Sequence, residues 1–202
     1  MLRVGLTGNI GSGKSAAGRM FVELGAHIID SDLIAHRLFE PRHPVYRTVV
    51  EAFGREVVAA DGSINRQVLG ALVFHDPQLR QKLNSIVHPA VIEAQKTWLN
   101  ELESKDPNAI GIVEAALMIE VGTYKNYDKI VVTICSPEEQ KQRLRARSGL
   151  SDSEILARIQ SQMPASEKVK YADYVINTSG SLEDTGRQVR EIFEAMKVLT
   201  HK

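Results

Sequence analysis

Eight residues near the start of the chain, Gly8-Asn9-Ile10-Gly11-Ser12-Gly13-Lys14-Ser15, fit the pattern G-x-x-x-x-G-K-[ST] in full. They follow an apolar run, Leu2, Val4 and Leu6, that reads as a short buried strand. Past Lys14 the pattern turns helical, with Met20, Phe21 and Leu24 apolar and Gly25 as a C-terminal stop. Strand, glycine loop and helix, in that order, are the setting in which this pattern holds phosphate. Glycines let backbone N–H groups turn inward and approach phosphate oxygens without obstruction from side chains. Lys14 is expected to reach the β- and γ-phosphates and the Ser15 hydroxyl to ligate Mg²⁺, with the positive end of the helix adding to the anion site. A chance match in a chain this size is on the order of one in a hundred at average glycine usage. The expectation is a nucleotide-binding protein.

The residues that follow extend the unit. His27-Ile28-Ile29 reads as a second strand and ends in Asp30-Ser31-Asp32. Strand, helix and strand in succession predict a parallel sheet. Further strands are expected at 109–113, ending at Glu114, at 129–135 and at 174–176, five in all. Between the second and third lies a different texture. Helical patches (Val45, Val49, Val50, Phe53; Val68, Leu69, Leu72, Val73; Leu83, Ile86, Val87) are interrupted by the turn Asp61-Gly62, and His88-Pro89 ends the last of them. This predicts a helical insertion. Ser136-Pro137-Glu138-Glu139 supplies an N-cap, a Pro at the first helical position and an early carboxylate. Leu182, Val189, Ile192, Phe193, Met196 and Leu199 share the core face of a last helix.

Composition removes several function classes. Lys and Arg total 25 and Asp and Glu total 25, so the chain lacks the overall positive charge that general nucleic-acid or membrane-surface binders use. Cys135 is the single cysteine, and no two of the six histidines lie three or four residues apart. An internal disulfide and a helical two-histidine metal grip are excluded, and a cysteine-based zinc site is implausible. The longest stretches free of Asp, Glu, Lys and Arg, 4–13 and 83–92, are ten residues each, against about 20 for a membrane-spanning helix. With no signal peptide in view, a cytoplasmic protein of one compact domain plus a small insertion is expected.

A phosphate loop serves kinases, GTPase switches, motors and transporters alike. No Asn-Lys-x-Asp base-reading motif occurs, and the chain is short for a motor or transporter with coupling domains. Phosphoryl transfer to a small acceptor remains, beside a nucleotide-binding regulator without transfer activity. Asp30 and Asp32 fall at the carboxyl edge of the sheet, where open α/β folds bind ligands. Alternation along an extended tip turns one of them toward the site, to take a proton from an attacking hydroxyl or to join the metal shell. The competing reading is a helix cap at Ser31 or Asp32. Glu114 can bind metal or orient substrate, or be a solvated loop acid. Lys141, Arg143, Arg145 and Arg147 crowd one stretch, with Arg143 and Arg147 on one helix face. They read either as guanidinium groups that neutralise a transferring phosphoryl group or as a solvated basic face.

Several of these motifs together resemble the dephospho-CoA kinase family. The resemblance starts with Leu6-Thr7-Gly8 through Ser15 and Ile29-Asp30-Ser31-Asp32. It runs on through Asp61-Gly62-Ser63-Ile64-Asn65-Arg66, Leu69, Phe74 and Ile86-Val87-His88-Pro89. Leu117-Met118-Ile119-Glu120 and Arg143-Leu144-Arg145-Ala146-Arg147 follow, then Arg158-Ile159-Gln160-Ser161-Gln162 and Ala172-Asp173-Tyr174-Val175-Ile176-Asn177. It implies ATP- and Mg²⁺-dependent phosphorylation of the ribose 3′-hydroxyl of dephospho-CoA, giving CoA and ADP. It also implies a P-loop NTPase fold, an α/β protein with a five-stranded parallel sheet of nucleoside-monophosphate-kinase type. The core would span 1–32 and 105–202 with a lid at about 141–170, and a helical acceptor-binding insertion would span 33–104. Asp32, Lys14, Arg143 and Arg147 would serve catalysis. ATP would contact 8–15, Ala16 and Asn177, while Asp30, Asp32, Arg66, His88 and Glu114 would face the acceptor. Ala16 stands where the family commonly has Thr, and Glu114-Ala115-Ala116 replaces a more usual Pro-Leu run.

Overall fold

The computed structural model describes residues 1–149 and 151–200; the side chains of His75, Arg147 and Ser148 fall outside that description. Two compact units emerge, one of residues 1–29 and 99–202 and one of residues 30–98. Both borders fall earlier in the chain than the 33–104 insertion expected from the sequence.

The first unit is built on a five-stranded parallel sheet. Its strands are β1 (Leu2–Gly8), β2 (His27–Asp30), β3 (Ile110–Glu114), β4 (Lys129–Ile134) and β5 (Tyr174–Asn177), in the order β2-β3-β1-β4-β5. β1 runs parallel to both β3 and β4, and β4 parallel to β5. The order therefore reverses direction at β1, and the crevice beyond the carboxyl end of such a central strand is where open sheets take ligands. Helix α1 (Lys14–Glu23) leaves directly from that point.

Alternation decides the faces. Leu2, Val4 and Leu6 of β1 join Phe21 of α1 and Val189, Ile192, Phe193 and Met196 of the C-terminal helix (Leu182–Thr200) in one buried cluster. Burying each such side chain stabilises the fold by about 1.5–3 kcal/mol relative to exposure. On the other face Gly5 lies against Met118 and Ile130, and Gly111 against Leu99 and Leu102.

The second unit is helical, as its apolar spacing predicts. It holds α2 (Ser31–Leu38), α3 (Pro44–Phe53), α4 (Arg66–His75) and α5 (Pro77–Lys105) as far as Trp98. Ile34, Leu38, Val45, Val49, Phe53, Val57, Ile64, Leu69 and Val87 are its buried apolar residues. Side chains cap all four of these starts: Asp30 before Ser31, His43 before Pro44, Asn65 before Arg66 and Asp76 before Pro77. One expectation fails here. His88-Pro89 does not end a segment, because α5 continues through Pro89 as a single helix. A proline inside a helix forfeits one backbone hydrogen bond, and the apolar positions on either side of it outweigh that loss.

Toward the C-terminus come α6 (Pro137–Ser148), α7 (Asp152–Gln160) and α8 (Ala165–Lys168); the C-terminal helix above is α9. Ser136 caps α6 by accepting from Glu139 N, and Ser151 and Glu154 form a reciprocal capping box at α7.

Candidate active site

The loop at the end of β1 is shaped by what surrounds it. Gly8 has φ +150°, and its register partner on β4 is Thr133. A Cβ at Gly8 would stand 2.3 Å from Thr133 Oγ1 and 2.4 Å from the Thr133 carbonyl oxygen, so no other residue fits. Gly13 precedes α1 with φ 82° and ψ 14°, a left-handed conformation; a side chain there would press on Thr178. The Ala16 and Ala17 amides both donate to Gly13 O, tightening the first turn. Ser12 and Thr133 share a buried hydroxyl–hydroxyl hydrogen bond of 2.7 Å. The result is a cradle fixed from below by β4 with the positive end of a helix at its rim.

Lys14 is folded back over this cradle, its Nζ donating to Gly8 O at 3.0 Å and Asn9 O at 3.3 Å. Ser15 Oγ donates to Glu114 Oε1 at 2.9 Å. Glu114 ends β3 and is 8% exposed, which overturns its reading as a solvated loop acid. The hydroxyl, in the first turn of α1, and the buried carboxylate, at the end of β3, are oxygen donors of the kind a hard cation takes. No group of three or more His, Cys, Asp or Glu able to hold a metal occurs among the described residues. Such a pair could hold Mg²⁺, a hard cation that takes one or two protein oxygens.

Arg143 of α6 is docked on the loop. Its guanidinium donates to Thr178 Oγ1 at 2.8 Å, Thr178 O at 2.6 Å and Gly11 O at 3.4 Å, and it pairs with Glu139 at 3.3 Å. The solvated-face reading does not describe this residue. Arg145 turns elsewhere, making a bidentate pair with Asp152 that is exposed to solvent. The Arg147 side chain lies outside the described residues. Asn177 ends β5, and its backbone is gripped by the Gln188 carboxamide through two hydrogen bonds of 2.9 Å while its own Oδ1 accepts from Ser179 N. Ser179 in turn accepts from Ser136 N. Loop 177–181 is thereby tied to the start of α6 beside the phosphate loop. Cys135 lies in the same region, its thiol pushed up by partial burial and directed at Gly11 O at 3.6 Å.

The acidic tip differs from expectation. Asp30 is the cap of α2, its carboxylate accepting from Asp32 N at 2.7 Å, so neither Ser31 nor Asp32 fills that role. Asp32 lies in the first helical turn and is exposed. An argument from extended alternation therefore does not apply to it. Ser31 is buried and accepts from Gln95 Nε2 at 2.8 Å. Within the same helical unit, Arg66 at the start of α4 contacts His36. His88 is half-buried, and burial pulls its pKa below the ordinary histidine value.

Sequence reasoning missed several polar residues of the loop's surroundings. Thr133 and Thr178 support it, Gln140 donates to Ile10 O at 2.7 Å, and Gln162 accepts from Ile10 N at 2.8 Å. Asn9 Nδ2 donates to Met163 O, while Asn9 Oδ1 is buried without a hydrogen-bond partner in the protein.

A family model described as dephospho-CoA kinase matches residues 2–184. The chain belongs to the dephospho-CoA kinase family. A dephospho-CoA kinase of Aquifex aeolicus is 44% identical over 197 residues, covering 97% of this chain and 98% of that one. The solved dephospho-CoA kinase of Campylobacter jejuni is 26% identical with a TM-score of 0.72, covering 96% of each chain. A solved Thermus thermophilus protein is 34% identical with a TM-score of 0.80, over 96% of this chain and 97% of its own. The fold and the family thus agree on a P-loop kinase.

Proposed function

We propose that residues 8–15 seat the triphosphate of ATP and that Asp32 accepts the proton of the ribose 3′-hydroxyl of dephospho-CoA as that oxygen attacks the γ-phosphorus. As a dephospho-CoA kinase the chain phosphorylates dephospho-CoA at the expense of ATP, in coenzyme A biosynthesis. The new bond joins the 3′-oxygen to phosphorus, the β–γ bridging bond breaks, and ADP leaves with the bridging oxygen. Such transfer needs chiefly positioning and charge stabilisation. Lys14, now held by the Gly8 and Asn9 carbonyls, exchanges those for β- and γ-phosphate oxygens. Arg143, already on Gly11 O, adds positive charge at the loop. Arg147, four residues further along the sequence, is assigned the same role. Ser15 and Glu114 would hold Mg²⁺, which would supply neutralisation of phosphate charge. Asn177 and Ala16 border the nucleotide, residues 141–170 act as the lid, and the helical unit with Asp30, Arg66 and His88 receives the acceptor.

One observation carries this reading: left-handed glycines, a lysine over their carbonyls, and a serine hydrogen-bonded to a buried carboxylate at one strand-end crevice. The test is mass spectrometry of the product formed from ATP, Mg²⁺ and dephospho-CoA, with the phosphorylated position read by ³¹P–¹H correlation. The expected product is CoA, formed far faster than any product from AMP, CMP or a nucleoside. ATP binding with no phosphorylated product overturns the proposal.

A further inference from the structure

The least expected polar group in the core is Lys168. Its side chain is wholly buried, and taking an ammonium out of water costs several kcal/mol even after relaxation. Its Nζ donates to Ala116 O at 2.7 Å and pairs with Glu120 Oε1 at 2.8 Å. Each partner leads toward the phosphate loop. Ala116 O also accepts from Thr7 Oγ1, on the strand that ends in Gly8, and Ala116 lies two residues beyond Glu114. Glu120 Oε1 accepts from Met163 N at 3.1 Å as well. Met163 O accepts from Asn9 Nδ2, and the adjoining Gln162 Oε1 accepts from Ile10 N. Residues 162–163 thus form a strap across Asn9 and Ile10, and the Lys168–Glu120 pair fastens its far side.

The peptide groups on either side of Ile10 are both held, since Gln140 Nε2 donates to its carbonyl, in the Ile10–Gly11 peptide, while Gln162 Oε1 accepts from its amide, in the Asn9–Ile10 peptide. That anchors two successive peptide groups of the loop that cradles phosphate, and a misplacement of about 1 Å in such a group can cost a hundredfold in rate. We propose that Lys168 is a positioning residue for phosphoryl transfer: through Glu120 and the 162–163 strap it holds Asn9 and Ile10 in the geometry that receives the terminal phosphate of ATP. This rests on the reading that loop 8–15 holds ATP.

The test is a set of variants assayed for kcat and for KM toward ATP and dephospho-CoA, with thermal unfolding of each. Gln162→Ala, at a partly exposed position, leaves the fold intact and lowers kcat/KM for ATP at least tenfold, with KM for dephospho-CoA within twofold of wild type. Lys168→Met strands the Glu120 carboxylate and lowers Tm. Pairing Lys168→Met with Glu120→Gln removes the lone charge and restores Tm, while kcat/KM for ATP stays at least tenfold down. Adding Gln162→Ala to that pair costs less than the product of the separate losses, because all three act through one strap. If activity returns with Tm in the paired variant, or if Gln162→Ala matches wild type toward ATP, the proposal is overturned. Lys14→Ala separates the two readings. Its full activity overturns the assignment of the loop itself, whereas its inactivity beside an active Gln162→Ala overturns only the strap.

Discussion

Residues 8–15 and residues 30–32 each follow a strand of the same sheet, yet they are built on opposite principles. The loop is made of backbone. Its glycines adopt left-handed φ values at 8, 11 and 13, and its own buried hydroxyl, Ser12, is joined by those of its neighbours Thr133 and Thr178. The acidic tip is made of side chains, with one carboxylate spent on capping a helix and the next exposed in the first turn. A phosphate is bound by many amides in a fixed concavity, so its site tolerates almost no change of shape. A hydroxyl to be deprotonated needs a single base of the right pKa within reach, which a helix start can present without a rigid mould. Substitutions in the loop should therefore act through shape and stability, and substitutions at the tip through chemistry.

Asp32→Asn gives the sharpest separation and the largest effect. Asparagine keeps the volume and the hydrogen-bonding oxygen but cannot take a proton. Loss of a general base costs about 10²–10⁴ in rate, so kcat should fall by at least a hundredfold, with ATP affinity within twofold and Tm within a degree or two. Steady-state kinetics beside an ATP titration read both quantities. An unchanged kcat removes Asp32 from the chemistry and leaves the tip without its assigned role.

Gly8→Ala should show the reverse profile. The new methyl meets a hydroxyl and a carbonyl of Thr133 at under 2.5 Å, on a backbone with φ +150°. Overpacking costs about 1–3 kcal/mol, and an unfavourable backbone conformation about as much again. At roughly 2–4 °C per kcal/mol for a chain of this size, Tm should fall by about 5 °C or more, with ATP affinity dropping alongside. A variant with native Tm and native ATP binding would mean that the strand-to-loop joint yields more readily than its contacts indicate.

The same contrast explains what was legible in the sequence. Glycine spacing records backbone shape directly, and the apolar runs of β1, β3 and β4 record burial on both faces, so the loop and the sheet could be read from residue order. The cap could not. Asp30, Ser31 and Asp32 are all good capping residues, and only the path of the chain selects Asp30. Pro89 reads as a break because its own peptide disfavours a helix, whereas the apolar residues that carry α5 past it act over several turns. Lys168 sits in the polar run Ala165-Ser166-Glu167-Lys168 and looks like surface; its burial depends on Glu120 and Ala116, distant in sequence. Arg143 likewise shares its segment with Arg145, and composition cannot say which guanidinium docks and which pairs in solvent.

The smallest expected effect decides how the two acids divide their work. Asp30→Ala removes the acceptor for Asp32 N and with it about 1 kcal/mol of helix stability, or roughly 2–4 °C in Tm. Asp30→Asn keeps a side-chain oxygen in the same place, and asparagine caps as well as aspartate, so its Tm should match wild type. Activity then separates a cap from a base. If Asp30 serves only to hold the start of α2, Asp30→Asn retains most of its kcat, and Asp30→Ala loses activity only as far as the first turn bearing Asp32 is loosened. A loss in Asp30→Asn as large as that in Asp32→Asn would show that the charge at position 30 is needed in its own right. The tip would then work as a pair of carboxylates, and the contrast with a backbone-built loop would rest on two side chains where one now suffices.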